Sequence, residues 1–211
     1  MNLFALVVAF LAVVLWSSIA LAQSPPAAAS PPAWSLRAVA AAYVLPLEDD
    51  YLQPTMTADR GALHLEGRYN YEDRESVSGF VGWNHSTAGK LSLALMPMFG
   101  AVVGKTDGAI PALELTLAYG RFELYSEAEV TIDFAESSDS FFYNWSELGL
   151  SATDRLSGGL VTQRSRTVHG SREIQGGPFV RLAVGSVEGA AYFFDPGADD
   201  HYFVGSIGVS W

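Results

Sequence analysis

The chain has 211 residues, a length that suits one domain with a sizeable core and is short for two. Its 12 Lys and Arg against 23 Asp and Glu give a net charge of -11, which argues against nucleic acid as a partner, because phosphate binding requires clustered positive charge. With no cysteine, no disulfide framework, thiolate zinc site or cysteine nucleophile is available, and the redox compartment is not readable from cysteine usage.

Residues 3 to 16 form an unbroken apolar run, followed by Ser17, Ser18 and the box Ala20-Leu21-Ala22. Small side chains two apart before a helix-breaking Ser24-Pro25-Pro26 predict a signal peptide over 1–22, cleaved after Ala22. The segment before the run is only Met1-Asn2 and carries no Lys or Arg, so an uncleaved N-terminal anchor is the alternative. Residues 23–33 are a Pro- and Ala-rich linker with too little to bury to fold. The folded domain is expected over 34–211.

From there the sequence alternates. Leu63, Leu65, Gly67, Tyr69 and Tyr71 interleave with His64, Glu66, Arg68 and Asn70; Leu113, Leu115, Leu117 and Tyr119 with Glu114, Thr116 and Ala118. Along 122 to 134 an apolar or small set interleaves with Glu123, Tyr125, Glu127, Glu129, Thr131 and Asp133. A strand throws successive side chains to opposite faces, so each run has one apolar and one polar face, which a helix would mix. Turn clusters punctuate the runs at 71–74, 84–89, 104–108, 137–139, 170–177 and 195–200. The predicted strands are 35–46, 61–72, 75–84, 90–103, 109–120, 121–135, 141–152, 158–169, 177–194 (long enough to be bent or doubled) and 200–211. About ten strands follow, with 8 or 12 also open because single-chain bacterial barrels use even numbers.

A soluble sandwich alternates too, and the charges discriminate. The only lysines, Lys90 and Lys105, fall in turns, and the strand-borne charges are Glu, Asp and Arg. A narrow barrel lumen needs carboxylates neutralised by guanidinium groups that bond two at once. Glu66, Arg68, Glu114, Glu123, Glu127, Glu129, Arg164, Arg166 and Arg181 are therefore the expected lumen-lining set, with Glu147 another strand-borne carboxylate. The fold class expected is all-β: an antiparallel up-and-down transmembrane barrel. Trp and Tyr near predicted strand ends suit a membrane interface.

The chain ends Phe203-Val204-Gly205-Ser206-Ile207-Gly208-Val209-Ser210-Trp211. This resembles the C-terminal strand of outer-membrane β-barrel proteins as a broad class, with Phe203, Ile207, Val209 and Trp211 as the insertion signal. The resemblance implies export to the outer membrane of a Gram-negative bacterium, with outer-membrane lipid and the barrel-insertion machinery as partners. With both termini in the periplasm, 47–60 becomes the first extracellular loop, and its Glu48, Asp49 and Asp50, like Asp195, Asp199 and Asp200, form either a solvated acidic surface or a calcium site.

Three functional readings follow. The first is a structural or narrow-channel, porin-like barrel passing a small solute or ion, with no enzymatic activity. The second is a lipid hydrolase: His169-Gly170-Ser171 resembles the His-x-Ser arrangement of outer-membrane lipid A deacylases, implying His169 as base and Ser171 as nucleophile, although Glu173 is poorly spaced as the acid. The third is a soluble periplasmic β-sandwich or barrel that binds a small ligand. No cofactor is expected, since Gly158-Gly159 lacks the Lys and helix of a phosphate loop.

Overall fold

Alternation becomes architecture in the computed structural model, which describes residues 32–168 and 170–211. The predicted signal segment, most of the linker and His169 lie outside the described residues. Residues Trp34–Trp211 form one unit, built from β1 (Ser35–Val44), β2 (Tyr51–Arg60), β3 (Leu63–Tyr69), β4 (Val77–Trp83), β5 (His85–Thr87), β6 (Leu91–Val103), β7 (Gly108–Tyr119), β8 (Phe122–Asp133), β9 (Phe141–Ser151), β10 (Leu156–Thr167), β11 (Arg172–Val184), β12 (Val187–Phe194) and β13 (Tyr202–Ser210). A single 3-10 turn, Ser137–Asp139, links β8 to β9.

Every pairing is antiparallel, and the ladder closes on itself. β13 returns to β1 with Ala42 opposite Gly205, while β4 pairs with β6 through Phe80 opposite Gly100. β4 and β5 are one strand interrupted at Asn84, because Gly82 opposite Met98 and His85 opposite Leu95 hold the same register. The barrel therefore has 12 staves, the largest of the counts left open by the sequence. The excess over ten has two sources. Residues 51 to 60, expected within a loop, form β2, and 177–194 is indeed doubled, split by a turn at Gly185 and Ser186. Pro54 hid β2, since proline cannot donate to a ladder and argues against an interior strand.

The two ends of the barrel differ. At the end where β1 starts and β13 finishes, β2–β3, β7–β8 and β11–β12 are joined by two-residue turns whose first residues, Gly61, Gly120 and Gly185, have φ of 61°, 62° and 62°. Positive φ at the first central position is what a type II′ hairpin demands, and glycine takes it without a Cβ penalty. The opposite end carries the longer connections, 45–50, 70–76, 134–140 and 195–201 among them.

Burial alternates along the staves because one face of each lines the lumen. Two apolar clusters sit inside: Tyr43, Val161, Phe179, Tyr192, Phe194, Tyr202 and Val204, and Phe80, Met98, Val102, Ile110 and Ala112. Facing outward are Leu52, Met56, Val81, Phe99, Leu148, Leu160, Val180 and Ile207, among other large apolar side chains exposed to the surroundings. Most outward aromatics fall at the two rims, with Trp34, Trp83, Tyr119, Phe122 and Trp211 at the turn end and Tyr69, Phe134 and Phe203 at the loop end, while Phe99 lies between them. Several aromatics expected at an interface, Tyr43, Tyr71, Tyr143, Trp145, Tyr192 and Tyr202, instead turn into the lumen.

Candidate functional site

Inside the barrel one guanidinium gathers carboxylates from β3, β8 and the β3–β4 connection. Arg68, on β3 and 3% exposed, donates through Nε to Glu66 Oε1 at 2.6 Å and through Nη1 to Glu129 Oε2 at 3.0 Å. Its Nη2 lies 2.7 Å from Glu127 Oε1, an ion-pair contact rather than an aligned hydrogen bond. Glu72 is within 3.7 Å. The guanidinium also stands 4.1 Å from the ring centre of Tyr71 and 4.3 Å from that of Phe80, so its faces are covered while its edges bond. Glu127 and Glu129 belong to β8, and Arg68 thus ties across the barrel residues 61 positions apart in the chain.

Around this centre the polar groups are mostly satisfied. His64 bridges Asp59 at 2.8 Å and Glu66 at 3.2 Å. Tyr71 and Tyr125 both donate to Glu127 Oε2, at 2.7 and 3.4 Å. Ser78 donates to Glu72 Oε1 at 2.8 Å, while the other Glu72 oxygen is buried without a hydrogen bond. Burial lifts the Glu72 carboxyl above the usual carboxylate range, and Arg68 and Ser78 offset part of that. Glu114 is the exception: it stands directly opposite Glu127 across the β7–β8 ladder and has no hydrogen-bond or ion-pair partner in the described structure.

A second network lies nearer β1. Arg181 donates to Glu147 Oε2 and, at 3.2 Å, to the Tyr192 hydroxyl, which itself donates to Glu147 Oε1 at 2.9 Å. Trp145 Nε1 donates to the same Glu147 oxygen at 3.0 Å, and Arg37 bonds Glu188 at 2.8 Å. Between the networks is a cavity of about 170 Å³, walled by Tyr43, Tyr71, Tyr125, Tyr143, Trp145 and Tyr192 with Glu127 at its edge.

Of the lumen set expected from sequence, Glu66, Arg68, Glu127 and Glu129 meet in the first network, Glu114 borders it, and Arg181 anchors the second. Glu123 shares their inward parity but lies toward the turn end, where it is exposed. Arg164 and Arg166 do not line the lumen. On β10 the buried Val161 fixes the inward parity, so Thr162, Arg164 and Arg166 face outward, and Arg164 lies 5.5 Å from the ring centre of the outward Phe142. The error came from assigning charge to the lumen by residue type instead of by parity within that strand. Residues missed in the sequence include Glu72 and Tyr71, since Asn70 adopts φ 58° and the following turn resets which side chains point inward. Glu188 was missed inside the run that proved to be two strands. At the insertion signal, Phe203, Ile207, Val209 and Trp211 all face outward.

Ser171 is exposed in the β10–β11 connection and makes no side-chain hydrogen bond in the described structure; the base expected for it, His169, lies outside the described residues. Among the described residues no group of three or more His, Asp or Glu side chains is placed to hold a metal ion. Asp50 and Asp195 each accept a hydrogen bond on a carboxylate oxygen, from the backbone amides of Leu45 and of Gly176 on β11.

No family model matches the sequence, and no curated protein matches it either. The fold is similar to the crystal structure of the Acinetobacter baumannii outer membrane protein Omp33, with 14% identity and a TM-score of 0.50 over 84% of this chain and 98% of that one. Weaker likenesses are to Pseudomonas aeruginosa OccK5 (OpdH), at 12% identity and a TM-score of 0.43 over 76% of this chain and 57% of that one, and to a loop-deleted OmpT of Vibrio cholerae, at 10% and 0.43 over 85% and 98%. The fold is that of outer-membrane β-barrel proteins as a broad class.

Proposed function

We propose that this protein spans the outer membrane as a narrow, cation-preferring conduit. The observation that carries the reading is the partition of charge between the two faces of a closed ladder. Among the described residues every Asp and Glu borne on a strand has inward parity, while the outward face is apolar over most of its height. Inward strand carboxylates outnumber the guanidiniums of Arg37, Arg68 and Arg181, so the lumen favours cations. A soluble sandwich would place its charges on the opposite face, toward water.

Size sets the conduit's width. Barrels of about eight strands are filled by side chains and those of roughly 16 leave a water-filled channel. Twelve staves fall between, and here large aromatics and the Arg68 network fill most of the section, leaving the tyrosine-walled cavity. A sealed, purely structural barrel is the second reading, favoured by Arg68 holding carboxylates from opposing walls.

Planar-bilayer recording across a potassium chloride gradient separates the two. The conduit gives small, cation-selective steps, and Glu123→Gln, which removes an exposed inward carboxylate that has no ion-pair partner in the described structure, weakens the selectivity without altering the fold. Anion selectivity contradicts the proposal, and silence from a barrel shown to be folded selects the sealed reading.

A further inference from the structure

The outward face has one charged region at the loop end. Among the described residues, the strand-borne charged residues with outward parity are Arg60 at the turn end and Arg164, Arg166 and Arg172 beside the β10–β11 connection. Arg166 is directly opposite Arg172 in the ladder, a like-charge pair that costs stability unless an anion bridges it. Neither of these two nor Arg164 forms an ion pair within the described structure, and Arg164 Nε is buried without a hydrogen-bond acceptor. The guanidinium of Arg164 rests against the Phe142 ring, which holds it at the surface of the barrel.

Height places these groups. A strand rising about 3.3 Å per residue and tilted roughly 40° climbs about 2.5 Å per residue along the membrane normal, so an apolar band of about 25 Å spans about ten residues. Leu156 starts β10 at the turn end, and Arg166 is ten residues beyond it. Arg166 and Arg172 therefore stand at the upper edge of the band, where lipid phosphates lie. Below them the wall is polar instead of apolar: Asn144 donates to Ser126 Oγ at 3.0 Å, Ser126 and Ser146 share a bond of 2.9 Å, and Thr162 lies opposite Ser146. This notch lets a headgroup sit deeper than it could elsewhere around the barrel.

We infer that Arg164, Arg166 and Arg172, above the Asn144 and Thr162 notch, form a docking surface for the phosphorylated headgroup of an outer-leaflet glycolipid. Guanidiniums suit phosphate because their paired N–H groups match its oxygens, and the long connections put this rim on the outer side. The inference rests on the outer-membrane reading given above.

The test uses the full chain in detergent micelles, titrated with purified lipopolysaccharide and with the same material after its lipid phosphates are removed. Wild type is expected to bind the phosphorylated form on the order of a hundredfold more tightly than the triple variant Arg164→Gln/Arg166→Gln/Arg172→Gln. Dephosphorylated material binds both weakly, Lys90→Gln at the opposite rim binds like wild type, and excess inorganic phosphate does not displace the lipid. Heat-dependent gel migration reports folding of each variant; if the triple variant fails to fold, Arg166→Gln alone, which relieves the like-charge pair, is expected to lose about fivefold. Equal binding by wild type and folded variant, indifference to dephosphorylation, or displacement by inorganic phosphate overturns the inference. Membrane fractionation is read separately: outer-membrane location with equal binding defeats the docking surface alone, whereas binding as expected by a protein found elsewhere in the cell upholds the surface and defeats the location.

Discussion

Arg68 is the residue on which the lumen depends. Its side chain is 1% exposed and serves four carboxylates, so its loss leaves uncompensated negative charge in a buried space. Arg68→Leu is expected to destabilise the barrel by about 3–5 kcal/mol, measured as a lower urea midpoint for the folded band. Arg68→Leu/Glu129→Gln should regain part of that loss, since fewer charges remain unpaired. If Arg68→Leu unfolds like wild type, the network is ornamental. Glycine serves this network too: a Cβ on Gly100 would meet the Phe80 ring at 2.4 Å, the ring that covers one face of the guanidinium.

At the scale of the element, parity decides what each side chain does, and parity was legible wherever alternation ran unbroken. β7, β8 and β13 read directly from sequence, and with them came the placement of Glu114, Glu127, Glu129 and the outward Phe203, Ile207, Val209 and Trp211. Legibility failed where local chemistry masked the period. Pro54 and the acidic run before β2 made a strand look like a loop, although Leu52, Met56 and Ala58 alternate with Gln53, Thr55 and Thr57. Asn70 in the left-handed region shifted the phase, sending Tyr71 and Glu72 inward. On β10, Arg164 and Arg166 resembled lumen ligands because arginine is costly anywhere else in a membrane strand, and only the ladder shows that they face out. The same strand offers a depth test. Leu160→Arg, outward near mid-height, should cost about 2–4 kcal/mol in folding stability, whereas Leu156→Arg at the turn-end boundary should cost about 0–1 kcal/mol. Equal costs at the two positions, read from urea titrations in lipid vesicles, would mean that β10 does not cross an apolar layer.

For the molecule as a whole, closure is what makes the two faces meaningful. With β1 joined to β13 and β4 to β6, every stave among the described residues has a neighbour on each side, so the described ladder leaves no edge to pair with another chain and its backbone groups need no solvent. That arrangement is the one a strand protein requires in lipid, and the outward apolar surface between aromatic rims matches it. The most direct test of a closed membrane-spanning barrel is paired: separate the inner and outer membranes of a Gram-negative host, then run the outer-membrane fraction on a denaturing gel with and without boiling. A closed barrel is expected in that fraction, migrating faster unboiled than boiled. Recovery in the soluble periplasm with a single, heat-independent band would contradict it.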